Sequence, residues 1–168
     1  STICRVVGQT PAVSSAASVK AGLVAIAVLI LDQVTKVIAR QDVPIGSSRE
    51  VTGFLDIVHV RNDGVAFSAF GGKPWIVVGL ITIALIALLY YFATHADKPL
   101  VWLATGLLFG GAVGNILDRV RDGAVTDFIK FTSWPAFNVA DIAINAGVVV
   151  LIIALLREDR SNGDRQST

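Results

Sequence analysis

Four runs of about twenty apolar residues decide what this chain can fold into, because a bilayer-spanning helix needs about that length. They run from about Ala21 to Ala39, Trp75 to Ala93, Leu100 to Leu117 and Phe137 to Leu156. Hydrocarbon offers no partners to backbone N–H and C=O groups, so runs of this length are predicted to be membrane-spanning helices. Pro74 and Pro99 precede the second and third runs, and Arg157-Glu158-Asp159-Arg160 stops the fourth. A mean hydropathy of +0.68 agrees, as does a charged fraction of 16%, against about a quarter in soluble domains. The net charge of +1 points away from nucleic acid, and the single cysteine, Cys4, excludes an internal disulfide. A single membrane-embedded domain is expected over residues 19–160, between a Ser- and Ala-rich flexible tail at 1–18 and a polar tail at 161–168.

An even number of spans puts both termini on one side. That side carries Arg5, Lys20, Lys98, Arg157, Arg160 and Arg165, close to span ends. The other carries Arg40, Arg49, Arg61, Lys73, Arg119, Arg121 and Lys130. The balance is nearly even, and proximity to span ends leans towards cytoplasmic termini. The connections on the opposite side are chemically richer. Gly53 to Arg61 is roughly alternating and rich in β-branched residues, which predicts a strand ending at the turn signal Asn62-Asp63-Gly64. Residues 118–136 include Phe128, Ile129, Phe131, Trp134 and Pro135, the composition of a short interfacial segment.

Four acids, Asp32, Asp118, Asp127 and Asp141, lie in or beside the spans and near one membrane face. A carboxylate at membrane depth costs several kcal/mol unless it is paired or lines a wet cavity. Asp32 and Lys36 are four apart, acid first, which suits an internal helical salt bridge; support of the helix is the first reading and a hydrated site the second. Asn115, Asp118 and Arg119 share a helix face, so Arg119 can pair with Asp118 or another acid at this depth, or can position substrate; the two readings weigh equally. Gly106, Gly110 and Gly114 form a small-residue ladder for close helix contact. Asn138 and Asp141 read as a helix N-cap and an acid three residues on, a capping box with Asp in place of Glu. That structural reading competes with a catalytic one, because Asp127 lies 14 residues upstream on the same side. Two carboxyls brought close at low dielectric share a proton, and the pair can act as acid and base on an amide bond. Asp127, beyond a helix C-terminus and beside Phe128, is expected to hold the shared proton, and Asp141, in a first helical turn, to act as the base.

Other chemistries fit less well. His59 and His95 are isolated and there is no cysteine cluster, so no metal or other cofactor is expected. A Ser68–Lys36 pair lacks any mark of an activated nucleophile. The competing class is a small transporter or channel subunit using the four acids as a proton or cation path, but such acids are expected near the bilayer midplane.

Five segments resemble the lipoprotein signal peptidases, or signal peptidase II. They are Asp32-Gln33-Val34-Thr35-Lys36, Asn62-Asp63-Gly64-Val65-Ala66-Phe67-Ser68, Gly110 to Arg119, Val125-Thr126-Asp127-Phe128, and Phe137-Asn138-Val139-Ala140-Asp141. They occur in the family's order over residues 21–156, and Val65, where the family more often has alanine, is a conservative departure. The resemblance implies a membrane α-helical protein with four spans, a small extracytoplasmic β-rich cradle at 41–73 and a short interfacial lid helix at 120–136. It implies an aspartic endopeptidase of the bacterial inner membrane with cytoplasmic termini and an extracytoplasmic active site. Its substrates would be diacylglyceryl-modified prolipoproteins, met at the membrane lipid and cut before the lipidated cysteine; a globomycin-type inhibitor would sit over the dyad. The dyad would be Asp127 and Asp141. The supporting residues would be Asp32, Lys36, Asn62, Asn115, Asp118, Arg119, Asn138 and Ala140.

Overall fold

The surface of this molecule is oily and its deepest interior is charged. Among the largest side chains with under 2% exposure are Lys36, Asp32, Asp118, Asp127 and Asn138, while Leu23, Ile83, Ile86 and Leu156 are more than half exposed. A soluble core has the reverse arrangement; helices immersed in lipid need no apolar core and bury what lipid rejects. The structure, a computed structural model, describes residues 15–63, 74–96 and 98–166. The elements in chain order are α1 (Ser15–Asp42), β1 (Ser48–Thr52), β2 (Leu55–Asn62), α2 (Pro74–His95), α3 (Val101–Asp122), β3 (Val125–Phe131) and α4 (Val139–Gln166). Gly64 to Ser68 of the second matching segment, Val65 among them, and the first 14 residues of the expected tail lie outside the described residues.

All four helices are long and apolar enough to cross a membrane. Helix α1 begins at Ser15, inside the stretch expected to be tail, because Ala17 packs with Ala21, Phe92, Ala96 and Val101. Helix α3 is the central one. It packs most extensively against α1 and α4 and less against α2. The glycine ladder makes those approaches possible. A Cβ at Gly106 would lie 2.7 Å from Ala21 O, and one at Gly110 would lie 2.6 Å from Ala25 O, so both glycines seat α1. Gly111 does the same for α4, where a Cβ would meet Ala140 O at 2.6 Å. Gly114 does more than pack: its missing side chain makes room for the Asp32 carboxylate, whose Oδ2 would be 2.6 Å away.

The three strands form one antiparallel sheet in the order β1-β2-β3. Gly53-Phe54 is the two-residue turn of the β1–β2 hairpin, so the predicted strand starts at Leu55. The segment expected to be a lid helix is corrected here. Within 120–136, residues Val125–Phe131 are strand β3, paired to β2 with Val60 opposite Asp127. The cause is local. Gly123 ends α3 in the left-handed region at φ 75°, its N–H donating to Arg119 O. The alternating, β-branched and aromatic run that follows then suits a pleat. Alternation sends Thr126 towards α1 and leaves Asp127 on the other face, beside Asn62 of β2.

The helix contacts generate a stability test. Gly110→Ala is expected to destabilise the protein by about 1–3 kcal/mol, because backbone rather than a pliable side chain blocks the new methyl. Gly79→Ala, with open space around it, is expected to stay within about 0.5 kcal/mol of wild type. Thermal unfolding in detergent measures both.

Candidate active site

A lysine buried in a membrane helix has three N–H donors to satisfy. Lys36, fully buried, finds three acceptors: Asp32 Oδ2 at 2.8 Å, Asp118 Oδ2 at 3.0 Å and Asn115 Oδ1 at 3.0 Å. The internal Asp32–Lys36 pair expected from spacing is therefore present, with α3 joined to it. Each carboxylate also reaches beyond the pair. Asp32 Oδ1 accepts from Ala140 N at 2.9 Å, at the start of α4. Asp118 Oδ2 accepts from Thr126 N at 3.1 Å, at the start of β3. Arg40 adds an ion pair to Asp118 at 3.2 Å and donates to Thr126 Oγ1 at 2.9 Å. Gln33 donates to Asp118 Oδ1 and to Asp32 Oδ2. This network fixes β3 and the start of α4 against α1 and α3.

Those two elements carry Asp127 and Asp141. Asn138 precedes α4, and its Oδ1 accepts from Asp141 N at 3.0 Å. Asp141 Oδ2 accepts in return from Asn138 N at 3.2 Å. The capping box expected from sequence is formed, and it turns the Asp141 carboxylate back towards the helix start. Its Oδ1 accepts from Asn115 Nδ2 at 2.9 Å. Asn138 Nδ2 donates to Asp127 Oδ1 at 2.7 Å, and Asn62 Nδ2 donates to Asp127 Oδ2 at 2.9 Å. A single asparagine thus touches both carboxylates. The structural and catalytic readings of Asn138-Asp141 are compatible: the cap is what brings the second acid to the first.

The two acids differ in surroundings. Asp127 is 2% exposed on β3, whereas Asp141 is half-buried. Burial pushes the Asp127 carboxyl up from 3.8 to about 6; the Asn62 hydrogen bond opposes this, the Asp141 charge adds to it, and Asn138 and Lys36 hold it down. A carboxyl titrating near neutrality between donors can hold or release a proton as a reaction requires.

Arg119 does not pair with Asp118. Adjacent residues point about 100° apart on a helix, and Asp118 faces Lys36 and Arg40. The Arg119 guanidinium donates to Asn115 O at 3.2 Å and lies within electrostatic reach of Asp141, Asp127 and Asp118. No salt bridge to Arg119 forms among the described residues, so its cation is not consumed by Asp127 or Asp141. Ala140 is fully buried, and its role is steric and through its N–H. His59 bonds Val43 O, and His95 stacks on Tyr91. The sequence reading passed over Arg40, Thr126 and the full reach of Gln33. The available signal was the stripe Asp32, Lys36, Arg40 at four-residue steps, which sets the three on one face of α1.

Asp127 gives a stability prediction. Its folded pKa, about 6, lies above the ordinary 3.8. The folded state therefore holds the proton more tightly, and this contribution is full below about 3.8 and lost as pH rises through about 6. Ionised Asp127 then costs the fold about 2–3 kcal/mol at pH 8. Asp127→Asn lacks this dependence. Its stability relative to wild type is expected to rise by about 2 kcal/mol between pH 4 and pH 8, read by unfolding at both values.

A family model described as Signal peptidase (SPase) II matches residues 24–157. The lipoprotein signal peptidase of Cupriavidus necator is 42% identical over 144 residues, covering 81% of this chain and 82% of that protein. The lipoprotein signal peptidase of Staphylococcus aureus is 41% identical over 150 residues, covering 86% and 92%. Among solved structures, a bacterial membrane enzyme determined by the in meso method at 2.3 Å superposes with a TM-score of 0.76 at 42% identity, covering 84% of this chain and 90% of that one. A second, at 1.9 Å, gives 0.77 at 39% identity, covering 89% and 98%.

Proposed function

The chain belongs to the signal peptidase II family, a membrane aspartic protease type, and from that premise we propose that Asp127 and Asp141 are its catalytic dyad. It removes signal peptides from bacterial prolipoproteins, cutting before a diacylglyceryl-modified cysteine. The observation that carries the assignment is the position of Asn138, which hydrogen-bonds Asp127 and caps the helix turn that holds Asp141. The protein crosses the bacterial inner membrane several times; we place both termini in the cytoplasm and the dyad at the extracytoplasmic face. A cyclic lipopeptide of the globomycin type would compete for the same pair. A proton or cation path gains no support, since Lys36 and Arg40 already engage Asp32 and Asp118 at one end of the bundle.

The reaction needs one proton on the dyad. Asp141 takes a proton from water as the water oxygen attacks the scissile carbonyl carbon. Asp127 gives its proton to the carbonyl oxygen, forming a neutral gem-diol. Asp127 then recovers a proton from the diol while Asp141 protonates the amide nitrogen. The C–N bond breaks, leaving a carboxyl on the signal peptide and an amine on the lipidated cysteine. Bound substrate displaces water from the site, which raises the Asp127 pKa further and holds the proton where it is used. Asn62 and Asn138 orient Asp127, Asn115 orients Asp141, and Arg119 holds a polar group of the substrate backbone.

Asp127→Asn and Asp141→Asn are each expected to abolish cleavage of a diacylglyceryl prolipoprotein while the protein stays folded and membrane-inserted. Near wild-type turnover by either removes that residue from the mechanism. Arg119→Ala is expected to lower kcat/KM at least tenfold more than Arg121→Ala, in a gel-shift cleavage assay. The pH profile supplies an independent check. Activity is expected to fall as pH rises past the Asp127 pKa, about 6 in the free enzyme. Asn62→Ala removes a donor that favours the anion, so it is expected to move that falling limb to higher pH. An unmoved or lowered limb would separate Asp127 from the titration that limits the rate.

A further inference from the structure

A groove of 570 Å³ runs along α4 from Asp141 into the apolar part of the span. Trp134 and Phe137 form its rim, Asp141 and Asn145 lie in its wall, and Val149 and Val150 lie at its far end. Trp134 is 66% exposed, as suits an aromatic side chain at the membrane–water interface. Asn145 is the one polar side chain between Asp141 and Arg157. It is exposed on a helix face otherwise made of Ile, Val, Ala and Leu. Its amide donates once, to Asp141 O at 2.9 Å. Its second amide proton and its Oδ1 have no partner among the described residues. A half-satisfied amide facing hydrocarbon is costly, so a partner arriving from the lipid side would be stabilised there.

We propose that this groove receives the acyl chains of the substrate's diacylglyceryl group, and that Asn145 donates a hydrogen bond to one of its ester carbonyls. The inference rests on the prolipoprotein substrate proposed above. Three features favour it. Apart from Asp141 and Asn145, every residue lining the groove is aliphatic or aromatic, which suits hydrocarbon chains. Asn145 lies one helical turn, about 6 Å, from Asp141 towards the bilayer interior. The diacylglyceryl group hangs on the cysteine that follows the scissile bond, and its thioether tether reaches about that far. The groove also reaches the proposed base, since Asp141 is part of its wall.

The test uses the full chain in lipid and two synthetic prolipoprotein peptides that differ only in ester- or ether-linked chains. An ether lacks the carbonyl acceptor. The wild type is expected to prefer the ester roughly fivefold in kcat/KM, the worth of one ordinary hydrogen bond, expressed in KM. Asn145→Leu is expected to bring that ratio close to one. A wild-type ratio near one, or an unchanged ratio in Asn145→Leu, overturns the role of Asn145. Val149→Trp tests the groove separately. It is expected to lower cleavage of long-chain substrates several-fold relative to short-chain ones. An equal loss at all chain lengths would assign the groove to the peptide and overturn the proposal. If the folded wild type cleaves neither peptide, the prolipoprotein reading itself fails; ester cleavage without discrimination sinks only this inference.

Discussion

The ammonium of Lys36 is the interaction on which the rest of this structure depends. A buried, unpaired charge within a bilayer is unaffordable, and even a paired one needs every remaining donor satisfied. Lys36 meets this with three acceptors on two helices, at 2.8–3.0 Å. The two carboxylates that hold it each spend a lone pair elsewhere: Asp32 on Ala140 N and Asp118 on Thr126 N. One cation on α1 thereby sets the position of the start of α4 and the start of β3, the two elements that carry Asp141 and Asp127. The arrangement of the proposed dyad is the outer layer of a charge-satisfaction problem solved one step deeper.

That layering gives two identical side chains different surroundings. Asp127 sits on a strand, nearly sealed from solvent, with two asparagine donors and a raised pKa. Asp141 sits at a helix start with its own cap and a donor from α3. The asparagines are neutral, so they orient the carboxylates without supplying the full counter-charge that would lock both as anions. Arg119, which has no carboxylate partner at ion-pair distance among the described residues, is bonded to a backbone carbonyl.

Legibility in the sequence followed the range of each interaction. The spans were readable because hydropathy is a local property; the helices found contain nearly all of each, but α1 starts at Ser15 and α4 runs on to Gln166, since a helix can continue past the apolar run into polar sequence. The Asn138–Asp141 box was readable because its two bonds close within three residues. The Asp32–Lys36 pair was readable as one helical turn. Strand β3 was not. Its segment is aromatic enough to pass for an interfacial helix, and only pairing with β2, more than sixty residues away, decides the matter. Arg40 was read as an ordinary charge at a span end because its partners, Asp118 and Thr126, are 78 and 86 residues distant. The meeting of Asp127 with Asp141 stood between these cases. Spacing allowed it, the family motifs named it, and the bridge through Asn138 supplies its geometry.

The central claim is that this pair shares a proton which resides on Asp127. Infrared difference spectroscopy of the protein in lipid, titrated through pH 6, addresses it directly. A neutral-carboxyl band with a midpoint near 6 is expected in the wild type and absent from Asp127→Asn. A band that survives in Asp127→Asn but vanishes in Asp141→Asn would contradict the assignment and reverse the roles of acid and base.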